Sequence, residues 1–403
     1  MNSIQPEEIR EKILIISPTV PRPDMNSGDV RLFAMLGILA KKYELYFFAK
    51  GVGAGDSGHI AALEQLGIKV FIEELSLKRL LRNEIFKLAI LEFYMIAEYY
   101  LDRIRILQPE CRVVIDSVDV HFLRLKLKHE LSGAPEDNEE YLSTRERELA
   151  MYRGADAVIT VTADDAASLR TVDPKINCEI VSNIHQICLC DDPFIPDTLI
   201  FVGGFLHEPN VDAMLHFCED ILPLIRQRKP EITLTIVGSN PPPRIRSLAN
   251  DYITVTGYVP ETTPYLHRSH ISIAPLRFGA GMKGKIGEAM AHGVPVVSTP
   301  VGVQGMGLTN GKNILVAESP QAFANAVIEL LENPHLHADI RRNAVQTIEE
   351  RYTSAQVGQS MLDAVERISR IPAKKMKIRE KLAFMNGYIN RRIRTGLSAC
   401  RTQ

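Results

Sequence analysis

Residues 274–298 read Ala274-Pro-Leu-Arg-Phe-Gly-Ala-Gly-Met-Lys-Gly-Lys-Ile-Gly-Glu-Ala-Met-Ala-His-Gly-Val-Pro-Val-Val-Ser298. The stretch opens at the end of an apolar strand pattern, Ile271–Ala274, and passes through Gly279, Gly281 and Gly284. It enters a helix near Lys285, and Gly293 suits the position just past that helix. Val294–Ser298 is then the next strand, giving a strand–loop–helix–strand unit of a parallel sheet. A glycine-rich loop running into a helix N-terminus presents unsatisfied backbone N–H groups at the positive end of the helix dipole. Arg277, Lys283 and Lys285 add full charge at the same place, so the loop is suited to an anion such as a diphosphate. Glu288 lies one turn beyond Lys285 on the same helix face, where a carboxylate can accept bonds from sugar or ribose hydroxyls.

The same alternation extends in both directions. Upstream, Lys12–Ser17, Glu44–Ala49, Ile68–Ile72, Arg112–Asp116, Ala157–Val161 and Glu179–Ser182 read as short buried strands, with a helix over Gly28–Lys42. Near-continuous apolar strands between helices predict parallel sheets covered on both faces. Asp191–Asp197, with two prolines and three acids, breaks the series. The pattern restarts at Leu199–Val202, followed by Thr233–Val237, Ile253–Val255 and Ile271–Ala274. The expected organisation is an N-terminal Rossmann-like half over 1–190, a linker over 191–197, a second such half over 198–370, and a basic tail over 371–403. Two α/β doubly wound parallel sheets place the default ligand site in the cleft between them. Leu75–Leu107 departs from the rhythm, being long and apolar with basic residues at its start. It reads either as one or two core helices or as a surface for a large or lipid-linked substrate.

Composition narrows the class. With 403 residues, 45% hydrophobic, 24% charged and a net charge of −2, the chain is an ordinary globular protein of two or three domains. Nothing in that balance points to nucleic acid. The tail is different, with nine Lys/Arg against Glu380 alone among the acids, a net +8 that leaves −10 on the remainder. Apolar residues at Ile378, Leu382, Met385, Ile389 and Ile393 share one helical face, so 374–397 can lie on an anionic membrane surface. The six cysteines are scattered without a CxxC pair, which gives no expectation of a zinc site. The polar, acidic start and the lack of an 18-residue apolar run suggest a reduced, cytoplasmic setting, peripheral on a membrane at most.

Several motifs together resemble the retaining, family-four-type glycosyltransferases of the GT-B fold (glycosyl transferases group 1). Glu288-Ala-Met-Ala-His-Gly-Val-Pro-Val-Val297 and Thr299-Pro-Val-Gly-Val-Gln-Gly305 carry the resemblance, with Phe201-Val-Gly-Gly-Phe205, Thr235-Ile-Val-Gly238 and Thr256-Gly-Tyr-Val-Pro260 ahead of them. The likeness is good over 198–365 and looser over 10–190. It implies a GT-B fold, a nucleotide-sugar donor as substrate, no obligatory cofactor or metal, and a glycan or lipid-linked acceptor. It also implies that Gly203 and Gly204 sit under the donor diphosphate or the acceptor and that Gly238 lines the donor; His207, from its loop position, faces the expected cleft. Tyr258 and Val259 would meet the nucleobase, Glu288 the ribose, and the amides of Gly302 and Val303 the donor. Two departures stand out. Ala280 occupies the place of a Glu common eight residues before Glu288, and Phe205–Asn210 lacks the family's Arg and Lys.

Two further loops follow strands and face the expected cleft. In Ser17–Arg31, Arg22, Asp24 and Arg31 are candidates for acceptor or phosphate contact, while Ser27 and Gly28 suit a helix start near a ligand. In Asp116–Arg124, Asp119 aligns with a sugar-adjacent His of the resembling enzymes, and His121 follows two residues later. Asp119, His121, Arg277 and Lys285 are thus the expected catalytic groups. Gly53-Ala-Gly-Asp-Ser-Gly58 matches a dinucleotide pattern but follows the second strand, and His267-x-x-His270 offers only two ligands. The expectation is a hexosyltransferase acting in polysaccharide or lipid-linked glycan synthesis, with a non-catalytic binding subunit as the alternative.

Overall fold

The computed structural model describes residues 10–53, 55–190 and 192–376. The amphipathic pattern over 374–397 therefore lies outside the described residues from 377 onward.

Among the described residues, thirteen strands form two all-parallel sheets. The first contains β1 (Lys12–Thr19), β2 (Glu44–Gly51), β3 (Lys69–Phe71), β4 (Leu88–Glu92), β5 (Arg112–Asp116), β6 (Ala157–Thr160) and β7 (Cys178–Ile180), in the order β3-β2-β1-β4-β5-β6-β7. The second contains β8 (Thr198–Val202), β9 (Thr233–Val237), β10 (Ile253–Gly257), β11 (Ile271–Ala274), β12 (Val296–Ser298) and β13 (Leu315–Val316), in the order β10-β9-β8-β11-β12-β13. Both orders reverse beside their first strand. The two crevices therefore open between β1 and β4 and between β8 and β11, where loops leave the carboxyl ends of neighbouring strands in opposite directions.

β1 shows why the sheets form as they do. Ile13, Leu14, Ile15 and Ile16 are all buried, alternating between two separate apolar clusters on the two faces of the sheet. Each such side chain contributes roughly 1.5–3 kcal/mol of burial. β-branched residues with no polar alternation therefore select the doubly covered, parallel arrangement.

Two features differ from the sequence reading. Leu75–Leu107 is not simply helical. It holds a helix over Glu74–Asn83, the fully buried strand β4, and a helix over Tyr94–Leu107. β4 pairs with β1 from Ile13 opposite Leu88, at the centre of the first sheet, and its side chains are committed to the core rather than to a substrate surface. The last helix, Ser354–Arg370, does not stay with the second sheet. Val357, Met361, Ala364, Val365 and Ile368 complete a core cluster of the first sheet, and the Arg112 Nε donates to the Ile371 carbonyl at 2.9 Å. The chain thus crosses between halves twice. The linker itself is held down by Phe194, which stacks on His270 at 4.3 Å between ring centroids.

Candidate functional site

β11 ends at Ala274, and the glycine loop leads into the helix Gly284–Ala291. Gly279 and Gly281 take φ of 151° and 67°, conformations closed to most side chains. The Lys283 side chain is buried and folds back, its ammonium donating to the carbonyls of Ala280 at 3.1 Å and Gly281 at 2.7 Å. Lys283 therefore staples the loop from within instead of standing open to a ligand. Burial pushes its pKa down to about 8.

Lys285 is the basic group aimed at the second crevice. Its ammonium donates to Asn210 Oδ1 and lies 4.9 Å from the centroid of the Phe201 ring. Burial, and then the charge of Lys283, lower its pKa to about 7. Asn210 donates in turn to the Gly204 carbonyl at 2.7 Å. A side chain on Gly203 would come within 2.8 Å of Asn210 and 3.1 Å of the Lys285 stem, and one on Gly238 would come within 2.0 Å of the Gly203 carbonyl. The glycines at 203 and 238 are thus required by close packing around this lysine and amide.

The remaining expected donor residues are distributed as follows. Glu288 accepts a 2.5 Å bond from the Thr262 hydroxyl. Tyr258, half exposed, donates to Asp24 of the first half at 2.9 Å. Val259 packs on the apolar cluster beneath β11 and the helix Gly284–Ala291. His207 is exposed and immediately precedes the helix Glu208–His216. Arg277 is drawn to Asp212, with its Nε 2.9 Å from Asp212 Oδ2. The Gly302 amide is taken by its own N-cap, donating to Thr299 Oγ1 at 3.2 Å, and the Val303 amide by the Thr299 carbonyl at 3.3 Å. Both amides are therefore committed within their own short helix.

Across the cleft, Asp119 and His121 form a compact cluster. Asp119 Oδ2 accepts from Arg124 Nε at 2.9 Å, and Asp119 Oδ1 lies 3.3 Å from His121 Nδ1. Glu148 Oε1 is 3.7 Å from the same nitrogen. Burial opposes both charges, but His121 and Arg124 hold Asp119 below the usual carboxylate range, while Asp119 and Glu148 raise His121. The His121 ring is bracketed edge-on by Phe93 and Tyr94, at 5.7 and 5.4 Å. The backbone beneath is strained. Val118 has φ of 55° and Phe93 has φ of 66°, at about 1–3 kcal/mol each. The Asp119 N–H donates back to the Ser117 carbonyl at 2.5 Å, closing a tight turn around Val118.

Arg31 requires correction. It was expected on the acceptor side, but it is fully buried, paired with Asp116 at 2.6 Å and donating to the Val181 carbonyl at 2.9 Å. It joins the first helix to β5 and to the residue after β7, and its burial keeps it away from a ligand in the cleft. Arg22 pairs with Asp56 at 2.6 Å, and Asp24 lies 3.1 Å from His59. Ser27 begins the first helix, with Asn26 acting as its cap through a 2.9 Å bond to the Asp29 amide.

The two halves meet through the glycine loop. A side chain on Gly284 would strike Ser27 at 2.4 Å, and one on Gly281 would meet Asp119 Cβ and the Val118 carbonyl, each at 3.0 Å. A side chain on Gly28 would lie 3.1 Å from the Oδ1 of the capping Asn26. Asp165 accepts a backbone hydrogen bond from Gly281, and Asn183 donates to the Met282 carbonyl at 3.4 Å. Gly281 and Gly284, read from sequence as part of an anion cradle, therefore also let the first half close onto the second.

Sequence reasoning missed Asn210, Glu148 and Arg124. Arg124 had a signal, five residues after Asp119 in the first turn of the helix His121–Ser132. Glu148 had none, lying in the next helix, Pro135–Gly154. Among the described residues, the group able to hold a metal ion is Cys188 with His267 and His292, and it uses none of these side chains.

Comparison with known proteins bears on the fold. Residues 196–333 match the family described as Glycosyl transferases group 1. An uncharacterized 44.6 kDa protein of the cps region of Klebsiella pneumoniae is 27% identical over 172 residues, 40% of this chain and 44% of that relative, so the match spans less than half of the relative's length. Among solved structures, sucrose-phosphate synthase from Thermosynechococcus elongatus is similar with a TM-score of 0.69 at 15% identity, covering 89% of this chain and 99% of that one. Anabaena HepE in complex with UDP and glucose gives 0.69 at 14% identity, covering 89% and 100%. A variant of S. aureus TarM, in a complex that includes UDP, gives 0.64 at 10% identity, covering 88% and 99%. The chain has the GT-B fold: two Rossmann-like α/β domains with parallel sheets of seven and six strands.

Proposed function

We propose that the protein transfers a sugar from a nucleoside-diphosphate donor to a hydroxyl acceptor, with retention of anomeric configuration. The observation that carries the reading is Lys285, which follows directly on the glycine loop whose Gly281 lies against Asp119 of the first half. Lys285 has no carboxylate hydrogen-bond partner and stands at the start of a helix on the carboxyl side of β11. An arriving diphosphate would supply the missing negative charge and, as leaving group, would be stabilised by that ammonium and the helix N-terminus. Asp119 and His121 would face the sugar from the other side, orienting hydroxyls and stabilising positive charge at the anomeric carbon. Glu288 supports ribose recognition, held in place by Thr262. The neighbours crystallised with UDP favour a uridine donor, and the relative from a cps region favours polysaccharide synthesis.

The test is release of nucleoside diphosphate from a panel of UDP-, GDP- and ADP-sugars offered with glycan and lipid-linked acceptors. We expect turnover with one donor class, reduced at least about a hundredfold in Lys285→Ala. Wild-type turnover in that variant would remove Lys285 from the mechanism. Ala280, standing where the resembling enzymes carry a Glu, favours a second reading as a donor-binding subunit without catalysis. Donor binding without turnover of any donor in the panel would select it.

A further inference from the structure

Cys188, His267 and His292 converge from three separate parts of the chain, with one ligand atom from each lying within 4.8 Å of the other two. Cys188 lies on the segment that carries the chain from the first half to the second, anchored by its N–H on the Ala291 carbonyl at 3.0 Å. His267 belongs to the short helix Thr263–Arg268, and His292 follows the helix Gly284–Ala291. The two imidazole centroids are 5.3 Å apart. All three residues are partly buried, and the Cys188 thiol is free.

The hydrogen bonds assign the ring protons. His267 Nε2 sits 2.8 Å from the Cys188 carbonyl, and His292 Nδ1 sits 2.8 Å from the Glu288 carbonyl. A carbonyl only accepts, so each of these nitrogens carries a proton, and in a neutral ring it is the only ring proton. The other nitrogen of each ring, Nδ1 of His267 and Nε2 of His292, is left with a lone pair. The Thr263 hydroxyl lies 3.2 Å from that lone pair on His292. Metal-binding histidines are oriented this way, with one nitrogen donating to a backbone carbonyl and the other facing the ion.

We propose that Cys188, His267 and His292 form a transition-metal site of the zinc class, with the Cys188 thiolate, two neutral imidazoles and a water completing a tetrahedron. One thiolate and two imidazoles suit Zn(II) in preference to the hard, oxygen-seeking cations. Tetrahedral zinc holds such ligand atoms about 3.3–3.6 Å apart, which rotation of the three side chains would reach from the present spacing. Binding releases the Cys188 thiol proton to solvent. The ion would tie the crossing segment to both ends of the donor side, through the helix that bears Lys285 and Glu288 and through the one that follows Tyr258. Cysteine spacing gave no sign of the site because its ligands are separated by 79 and 25 positions along the chain.

The test uses the tag-free full-length protein and Co(II) as a spectroscopic probe. We expect one equivalent to give tetrahedral ligand-field bands together with a thiolate-to-cobalt charge-transfer band, both abolished by an equivalent of Zn(II). Cys188→Ala should lose the charge-transfer band, His267→Ala and His292→Ala should weaken binding by about tenfold or more, and Cys190→Ala should behave as wild type. Thermal stabilisation of the unsubstituted protein by Zn(II) provides a second readout that needs no variant. A wild-type protein without a stoichiometric cobalt spectrum overturns the proposal, and so does a charge-transfer band that survives in Cys188→Ala. Neither readout involves sugar transfer, so the proposal stands or falls apart from the function proposed above.

Discussion

Lys285 makes the donor reading testable through protons alone. Its pKa of about 7 in the free protein follows from burial and from Lys283 nearby, with Asn210 a neutral partner that cannot hold the charge. At pH 8 the free ammonium is therefore about 90% deprotonated. A bound diphosphate, itself ionised at that pH, would hold the lysine protonated, so binding must take up a proton. Affinity then falls as pH rises above 7, by about tenfold per unit, until the pH reaches the pKa of the bound state. If that pKa is about 10 or higher, the loss from pH 7 to pH 9 is about fiftyfold, or roughly 2.3 kcal/mol.

Isothermal titration with the nucleoside diphosphate that binds, repeated in buffers of different ionisation enthalpy, reads both quantities. We expect about 0.9 proton taken up at pH 8 and a steep loss of affinity above pH 7. Lys285→Met should bind more weakly at pH 7 and show a much flatter profile, its residual slope due to Lys283. An affinity independent of pH between 7 and 9, or the same slope in Lys285→Met, would refute the assignment of Lys285 as the phosphate-binding group.

Other consequences follow from the same structure. Arg31→Met should cost about 3–5 kcal/mol by urea unfolding, since it strands the buried Asp116 charge, whose Oδ1 already lacks a partner; a cost below about 1 kcal/mol would contradict the pairing. Glu92 is buried with its pKa pushed up to about 8 by desolvation, and the single hydroxyl proton of Ser17, shared between Thr19 and Glu92, is best satisfied when Glu92 itself donates. The folded state thus keeps a proton that the unfolded chain loses above about 4.5, so stability falls as pH rises from about 4.5 to about 8, by a few kcal/mol in total. Glu92→Gln should remove that component of the slope, measured by urea midpoints across the window. Gly284→Ala should lower kcat more than nucleotide affinity, because the new methyl would lie 2.4 Å from Ser27; adding Ser27→Gly should restore turnover, and failure of that rescue would mean that the contact does not govern closure.

Much of the fold was legible because parallel strands buried on both faces leave unbroken apolar runs. The sheet strands β5, β9 and β11 begin and end where those runs do. β4 was not legible, for a physical reason. The chain from Ile85 to Ile96 is almost continuously apolar, so period alone cannot separate a buried strand from a buried helix. The break that separates β4 from the next helix falls on Phe93, which adopts a positive φ without a glycine to announce it. The site shows the same division. Lys285, Gly203, Gly238 and Asp119 could be picked out because glycines and charges stand at strand ends. Arg31 looked like a ligand contact from its loop position, and only the fold supplies Asp116, 85 residues away, as its partner.

The strain at Val118 offers a way to separate packing from positioning. A β-branched residue at φ of 55° costs about 1–3 kcal/mol, and nothing in the core repays that cost, because Val118 is only partly buried. What the turn achieves is the placement of Asp119 beside Arg124 and His121 and against Gly281 of the other half. Val118→Gly would relieve the strain while losing modest packing and adding about 0.5–1 kcal/mol of backbone entropy. These terms nearly cancel, so stability should change by less than about 1 kcal/mol, where truncating an unstrained valine of similar burial would show a clear loss. The freed turn would let Asp119 wander, lowering kcat and pulling the His121 pKa back toward its ordinary value, which ring-proton chemical shifts can follow. A variant with reduced stability, unchanged kcat and an unmoved His121 would make the turn a packing feature and leave Asp119 without a positioning device.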